Sequence, residues 1–231
     1  MQRFQLCYEL LPHKRGHYIA PQLLKPQVPD YEWEAQPDDL QLRFHYPHFM
    51  PRGILSRAVV VLHEYLEAQH LVWRSGAILK NSHARAELLE LRGEKEIHIR
   101  ISGSRRLDFL MLIVQTLDKL HEGFSSKLTY EKRVPCYCER CIQPDTTPHF
   151  FDLEYLRDRL ASPKQSKWVV ECRYKPFHDI HVRDLIDDAV LKMDRHGDGM
   201  TVGGDYIHVE GDISNVQGMG IGRKSSGSAS S

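Results

Sequence analysis

Three cysteines crowd together in the run Pro135-Cys136-Tyr137-Cys138-Glu139-Arg140-Cys141. Thiols at this spacing can converge on one ion, because a tight loop points alternate side chains inward. A tetrahedral structural centre needs a fourth ligand. Cys172 is the natural candidate, since Trp168, Val170 and Cys172 fall on one face of an expected strand, and His149 is the alternative. Cys136, Cys138, Cys141 and Cys172 would then hold a structural zinc. The spacing is not a standard zinc-finger spacing. A second reading therefore stands beside it: three reduced thiols in a turn, with Cys172 as a small core hydrophobe. A nucleophilic thiol is the weaker idea, because no base is fixed beside the cysteines in sequence.

Other constellations are less specific. His63, Glu67 and His70 would share a helix face at i, i+4 and i+7, which suits a metal, but the helix is expected to end near Glu67 or Ala68. A solvated helix end is the plainer explanation. Asp194-Arg195-His196-Gly197-Asp198-Gly199 resembles a calcium loop, yet His stands at its third position, Asp205 at its twelfth, and no exit helix follows. Gly218, Gly220 and Gly222 precede Arg223-Lys224-Ser225 but break the phosphate-loop pattern. The remaining histidines are scattered, and most are expected at the surface or at strand edges.

The elements that must position these residues belong to a globular chain. It has 231 residues, with 41% apolar and 27% charged side chains, so a packed core is expected. Lys+Arg and Asp+Glu are both 31 and the net charge is +0, which argues against a general nucleic-acid binder. No apolar run approaches the roughly 18 residues that a membrane span requires. The N-terminus lacks a signal-peptide core and the cysteine count is odd, which points to a cytoplasmic protein with reduced thiols.

Three segments are expected. Residues 1–37 hold a hairpin, with Phe4, Leu6, Tyr8 and Leu10 alternating and His17–Pro21 returning, followed by a Pro-rich connector. A lone hairpin is marginal in water, so this one needs a partner, as if the chain began inside a domain whose earlier part is missing. Residues 38–193 carry the core. A strand over 40–46 leads to a helix from Ile54 to Tyr65, with Pro51 suited to its first turn. Short strands follow around 71–73, 77–79, 86–91 and 97–101. A helix over 105–122 is apolar almost all round, so it is covered on two sides, either by its own fold or by a partner subunit. A strand over Leu128–Lys132, the cysteine turn, a helix capped by Asp152, the strand through Cys172 and a helix over 180–192 complete an α+β domain with a largely antiparallel sheet. Residues 194–231 are rich in Gly and Ser and read as a flexible tail.

The core also carries a resemblance. The run Leu42-Arg43-Phe44-His45-Tyr46-Pro47-His48-Phe49-Met50-Pro51-Arg52-Gly53-Ile54-Leu55-Ser56-Arg57 is similar to the opening of the C-terminal half of the COR domain (C-terminal of Roc) in bacterial and archaeal Roco proteins. The similarity continues through Val72-Trp73-Arg74-Ser75-Gly76, Ile99-Arg100-Ile101-Ser102-Gly103, the cysteine turn, Pro148-His149-Phe150-Phe151, Val170-Glu171-Cys172 and Val182–Asp187. The N-terminal hairpin resembles the wing of the family's preceding winged-helix half, and the tail resembles its glycine-rich C-terminal connectors. The resemblance implies a non-catalytic module. In Roco proteins COR follows the Ras-like GTPase Roc, its C-terminal half dimerises, and COR couples nucleotide state to attached domains. It implies a homodimer, a Roc domain as partner, no nucleotide bound by this chain, and neither nucleic acid nor membrane as partner. The sequence shows no phosphate loop, leucine-rich repeat or kinase motif. A stand-alone metal- or thiol-dependent enzyme, and a docking adaptor with a flexible tail, are the rival readings.

Overall fold

The structure is a computed structural model. It describes residues 6–9, 16–34, 36, 39–124, 128–143, 146–164, 168–174 and 179–185. The tail over 194–231, with its calcium-like and phosphate-like loops, lies outside the described residues, as do most of the helix expected over 180–192 and His13 and His178.

Strict alternation builds the centre. Leu42 and Phe44 point to one side of β3 (Leu40–His45), and Ile97, Ile99 and Ile101 do the same in β7 (Glu96–Gly103). The two strands pair antiparallel with Leu42 opposite Ile99 and Phe44 opposite Ile97, so their apolar faces coincide. β6 (Ala84–Leu91) joins β7 with Ala86 opposite Ile101 and Leu88 opposite Ile99. β5 (Gly76–Lys80) and β4 (Val72–Trp73) continue outward on that side. On the other side come β8 (Glu131–Pro135) and β9 (Phe150–Asp152). The sheet has seven strands in the order β4-β5-β6-β7-β3-β8-β9, and every pairing is antiparallel.

Two helices cover the apolar face. Gly53 takes φ +77 and turns the chain from β3 into α1 (Ile54–Val61), so Pro51 lies just upstream of the helix and not in its first turn. α2 (Arg106–Glu122) packs on α1 and on β3, β6 and β7. Phe109, Leu110, Met111, Ile113, Val114, Leu117 and Leu120 are all buried within the chain, while Gln115, Lys119 and Glu122 meet solvent. The domain's own fold thus covers both apolar sides of α2. One buried polar cluster sits beneath it. The Tyr46 hydroxyl lies 2.7 Å from His121 Nε2, and the His121 ring stacks on Tyr130 with centroids 4.1 Å apart. Tyr130 and Lys132 both donate to the Asp118 carboxylate. Burial, and secondarily the Lys132 charge, push the His121 pKa down to about 3, so the ring is neutral at pH 7.

The opposite face of the sheet is charged. Glu96 accepts from Arg43 at 3.1 Å and binds His98 at 2.7 Å and His45 at 3.2 Å. The connector crosses this face: Tyr31 donates to Glu87 at 2.7 Å and stacks on Trp73, while Trp33 donates to Asp39 and lies beneath Arg85 and Arg100.

The N-terminal hairpin forms as β1 (Tyr8–Glu9) and β2 (Tyr18–Ile19). It finds a partner within the chain. Tyr8 is buried, stacks on His63, and its hydroxyl accepts from the Gln69 side chain at 2.7 Å. After β9, the chain forms α3 (Leu153–Ala161), β10 (Val169–Glu171), β11 (Asp179–His181) and the short α4 (Val182–Leu185). Asp152 caps α3 by accepting from the Tyr155 amide, as its sequence position implies. Ile180, expected in a helix, lies instead in β11 opposite Val170.

Candidate functional site

The connection between β8 and β9 carries Cys136, Cys138 and Cys141. Its turn is closed by the Cys141 and Ile142 amides, which both donate to the Cys138 carbonyl, at 2.8 and 3.1 Å. Cys136 continues the hairpin register, its amide donating to the His149 carbonyl at 2.7 Å. Cys172 arrives from the end of β10. It is fixed there by Arg173, whose amide donates to His149 Nδ1 at 3.0 Å and whose guanidinium donates to the Thr147 carbonyl at 2.8 Å. Tyr174 donates to the same carbonyl.

These elements bring the four sulfurs within 4.8 Å of one another. Cys141 and Cys172 lie 3.5 Å apart. Cys136, Cys141 and Cys172 are buried and Cys138 is half-buried. Backbone amides point at the sulfurs: Cys138 N–H at Cys136 Sγ (3.5 Å) and His149 N–H at Cys141 Sγ (3.4 Å). Burial raises the Cys136 thiol far above its ordinary range and lifts Cys141 to about 11. Burial also opposes ionisation of Cys138, but amide and thiol donors around it prevail and hold its pKa below the usual value.

His149, the alternative fourth ligand, serves this cluster through its backbone. Its ring Nδ1 accepts from Arg173, and the ring packs against Phe151 with centroids 4.4 Å apart. Cys7 is buried, unpaired with another sulfur, and belongs to the N-terminal hairpin.

The second constellation does not assemble. α1 ends at Val61, and short 3-10 turns span His63–Tyr65 and Gln69–Leu71. His63 Nδ1 lies 2.8 Å from the Val60 carbonyl, and Glu67 is engaged by Arg85 at 2.7 Å and Lys80 at 3.5 Å. His63, Glu67 and His70 therefore share no helix face, because the backbone changes pitch and direction between them.

Sequence reasoning missed one cluster. Glu94, Glu96 and His98 gather potential ligand atoms on β7 and the turn before it. The period-2 spacing of Glu96 and His98 was its signal. Arg43 and Arg133 flank Glu96, at 3.1 and 3.8 Å, so its charge is already met by guanidinium groups and a divalent cation would face repulsion. The cluster reads as a structural ion-pair network.

Among the described residues, no helix is long and apolar enough to cross a membrane. The cluster gathers four protein sulfur donors, the number that a structural tetrahedral centre uses.

Comparison with known proteins locates this architecture. Over 138 residues the chain is 25% identical to a Roc-COR-CHAT protease of Runella zeae, an alignment that covers 58% of this chain and 14% of that protein. The chain thus spans a small part of its relative's length. The family model described as "C-terminal of Roc, COR-B domain" matches residues 38–188, which hold the seven-stranded sheet, both of its covering helices and the four clustered cysteines. The chain belongs to the COR-B family.

Proposed function

We propose that this chain is a non-catalytic dimerisation and regulatory module of a Roco-type GTPase, pairing with a second copy of itself and coupling the state of a Roc domain to attached domains. The family match over residues 38–188 carries the reading. The site supports it, because four gathered sulfur donors match a structural centre and the Glu96 carboxylate is already paired with Arg43 and Arg133. The relative's protease activity is a property of that protein, of which the shared region is 14%. The cofactor that suits this reading is zinc, held structurally by the four cysteines. The β1–β2 hairpin acts as the wing of a winged-helix half that precedes this domain, with Tyr8 as its anchor on the 63–69 segment. All five cysteines are free, in keeping with work in the cytoplasm.

The apolar sides of α2 are covered by its own domain and are not free to pair with a second copy. The test is the solution mass of the full chain by light scattering over a wide concentration range. A dimer mass is expected. A strict monomer at high concentration overturns self-association by this chain and leaves pairing to other parts of a Roco protein.

A further inference from the structure

The β8–β9 edge is unlike the rest of the sheet. Its outer strand β9 has three residues, and the β10–β11 ladder beside α3 has three residues in each strand. Strands this short bury little of themselves, and the segments that follow β9 join the core through Leu153, Leu156, Val170, Val182 and Leu185, none of which lies in the cysteine-bearing connection. The four thiols lie where these segments meet.

We infer that Cys136, Cys138, Cys141 and Cys172 bind one zinc ion in a closed tetrathiolate that ties the β8–β9 connection to the end of β10. The inference rests on the zinc reading above and adds the stoichiometry, the exclusion of the His149 ring as a ligand and what the ion clamps. The size of the cluster selects a single ion. A zinc–sulfur distance of about 2.3 Å in a tetrahedron places the sulfurs ~3.8 Å apart. Here all four lie within 4.8 Å and one pair is at 3.5 Å. An iron–sulfide cluster would need its thiolates spread more widely around the inorganic core. Four thiolates in tetrahedral array select zinc among the common divalent ions.

Two backbone donors face the sulfurs. The Cys138 and His149 amides aim at sulfur, and amide donors to ligating sulfur are the usual outer support of a metal–thiolate centre. The His149 ring is held by Arg173 and Phe151, so His149 supports the site through its backbone on both sides of the hairpin. Binding displaces the thiol protons to solvent and involves no redox step.

The test uses the full chain, prepared reduced with zinc present. Bound metal is measured directly, and its release is followed as an organomercurial titrates the thiols. The expected result is one zinc per chain, released only as four thiols react. Cobalt(II) exchanged into the site should give the visible bands of a tetrahedral ion with four-thiolate charge transfer. Cys7→Ser should leave stoichiometry and spectrum unchanged, and Cys172→Ser should reduce the charge-transfer intensity. If Cys172→Ser fails to fold, the wild-type cobalt spectrum still decides, since three thiolates and one imidazole absorb differently from four thiolates. A chain that takes up neither ion, that carries iron, that forms disulfides among these residues, or whose cobalt spectrum is that of three thiolates and one imidazole overturns the inference. The outcome is separable from the dimer reading. Zinc in a monomer defeats only dimerisation, and a metal-free dimer defeats only this centre.

Discussion

At the centre of the sheet, Leu42, Phe44, Ile97, Ile99 and Ile101 are buried against α1 and α2. At the β8–β9 edge, Glu131, Lys132 and Arg133 are only half-buried, and the most deeply buried side chains of the connection are Cys136 and Cys141. Fully burying a large apolar side chain contributes about 1.5–3 kcal/mol. The centre gathers many such contributions in long, mutually registered strands. The edge has fewer, Val134, Phe151 and Val170 among them, on strands of three to five residues, and adds a cluster of sulfur. Regular alternation suffices for cohesion only where strands are long enough to repeat it. The four thiols stand where these short strands meet.

Changes at the centre should have the largest effect. Phe44 is fully buried and meets the rings of His121 and Tyr130. Phe44→Ala should cost about 3–5 kcal/mol in denaturant unfolding. A cost near 1 kcal/mol would mean that the centre is no more tightly packed than the edge.

The next effect is acid-sensitive. His121 has a pKa of about 3 in the fold against an ordinary value of 6.5, so the unfolded chain binds more protons between these limits. The stability linked to neutral His121 is therefore fully present above pH 6.5 and is lost steadily as pH falls towards 3. It amounts to a few kcal/mol at most. His121→Gln keeps an acceptor for the Tyr46 hydroxyl without a titration, and should flatten the melting-temperature profile across this window. An unchanged profile would show that the ring does not titrate against folding.

Metal removal should separate the two regions. Chelation is expected to speed amide exchange in β8, β9 and β10 about a hundredfold, while β6 and β7 keep their protection. Uniform loss across the sheet would show that centre and edge unfold as one unit. The smallest effect belongs to the edge's helix. Asp152→Ala removes the acceptor of the Tyr155 amide and should cost about 1 kcal/mol, read by urea unfolding.

The centre was legible because its period is local. The alternation in Leu42/Phe44 and Ile97/Ile99/Ile101, the apolar runs of β5 and β6, the stripe of α2 and the Asp152 cap all declare themselves within a few residues. β9 and β11 did not, because three residues cannot show a period. β8 begins at Glu131, later than the Leu128 and Tyr130 pattern implied, since pairing with β3 and not side-chain alternation sets its limits. The helix expected to end near Glu67 or Ala68 stops at Val61, and beyond it Tyr8 and the Arg85–Glu67 pair engage short turns.

The sequence by itself determined an α+β domain, its principal strands and helices, and three cysteines close enough to share an ion. These follow from spacing along the chain. The tertiary structure alone decided that β3 lies between β7 and β8, and that α2 is covered by its own fold. It also decided that the Cys172 thiol, and not the His149 ring, completes the sulfur cluster. These depend on which distant segments meet. Loop closure and packing, summed over the whole chain, choose among contacts that no local pattern can rank.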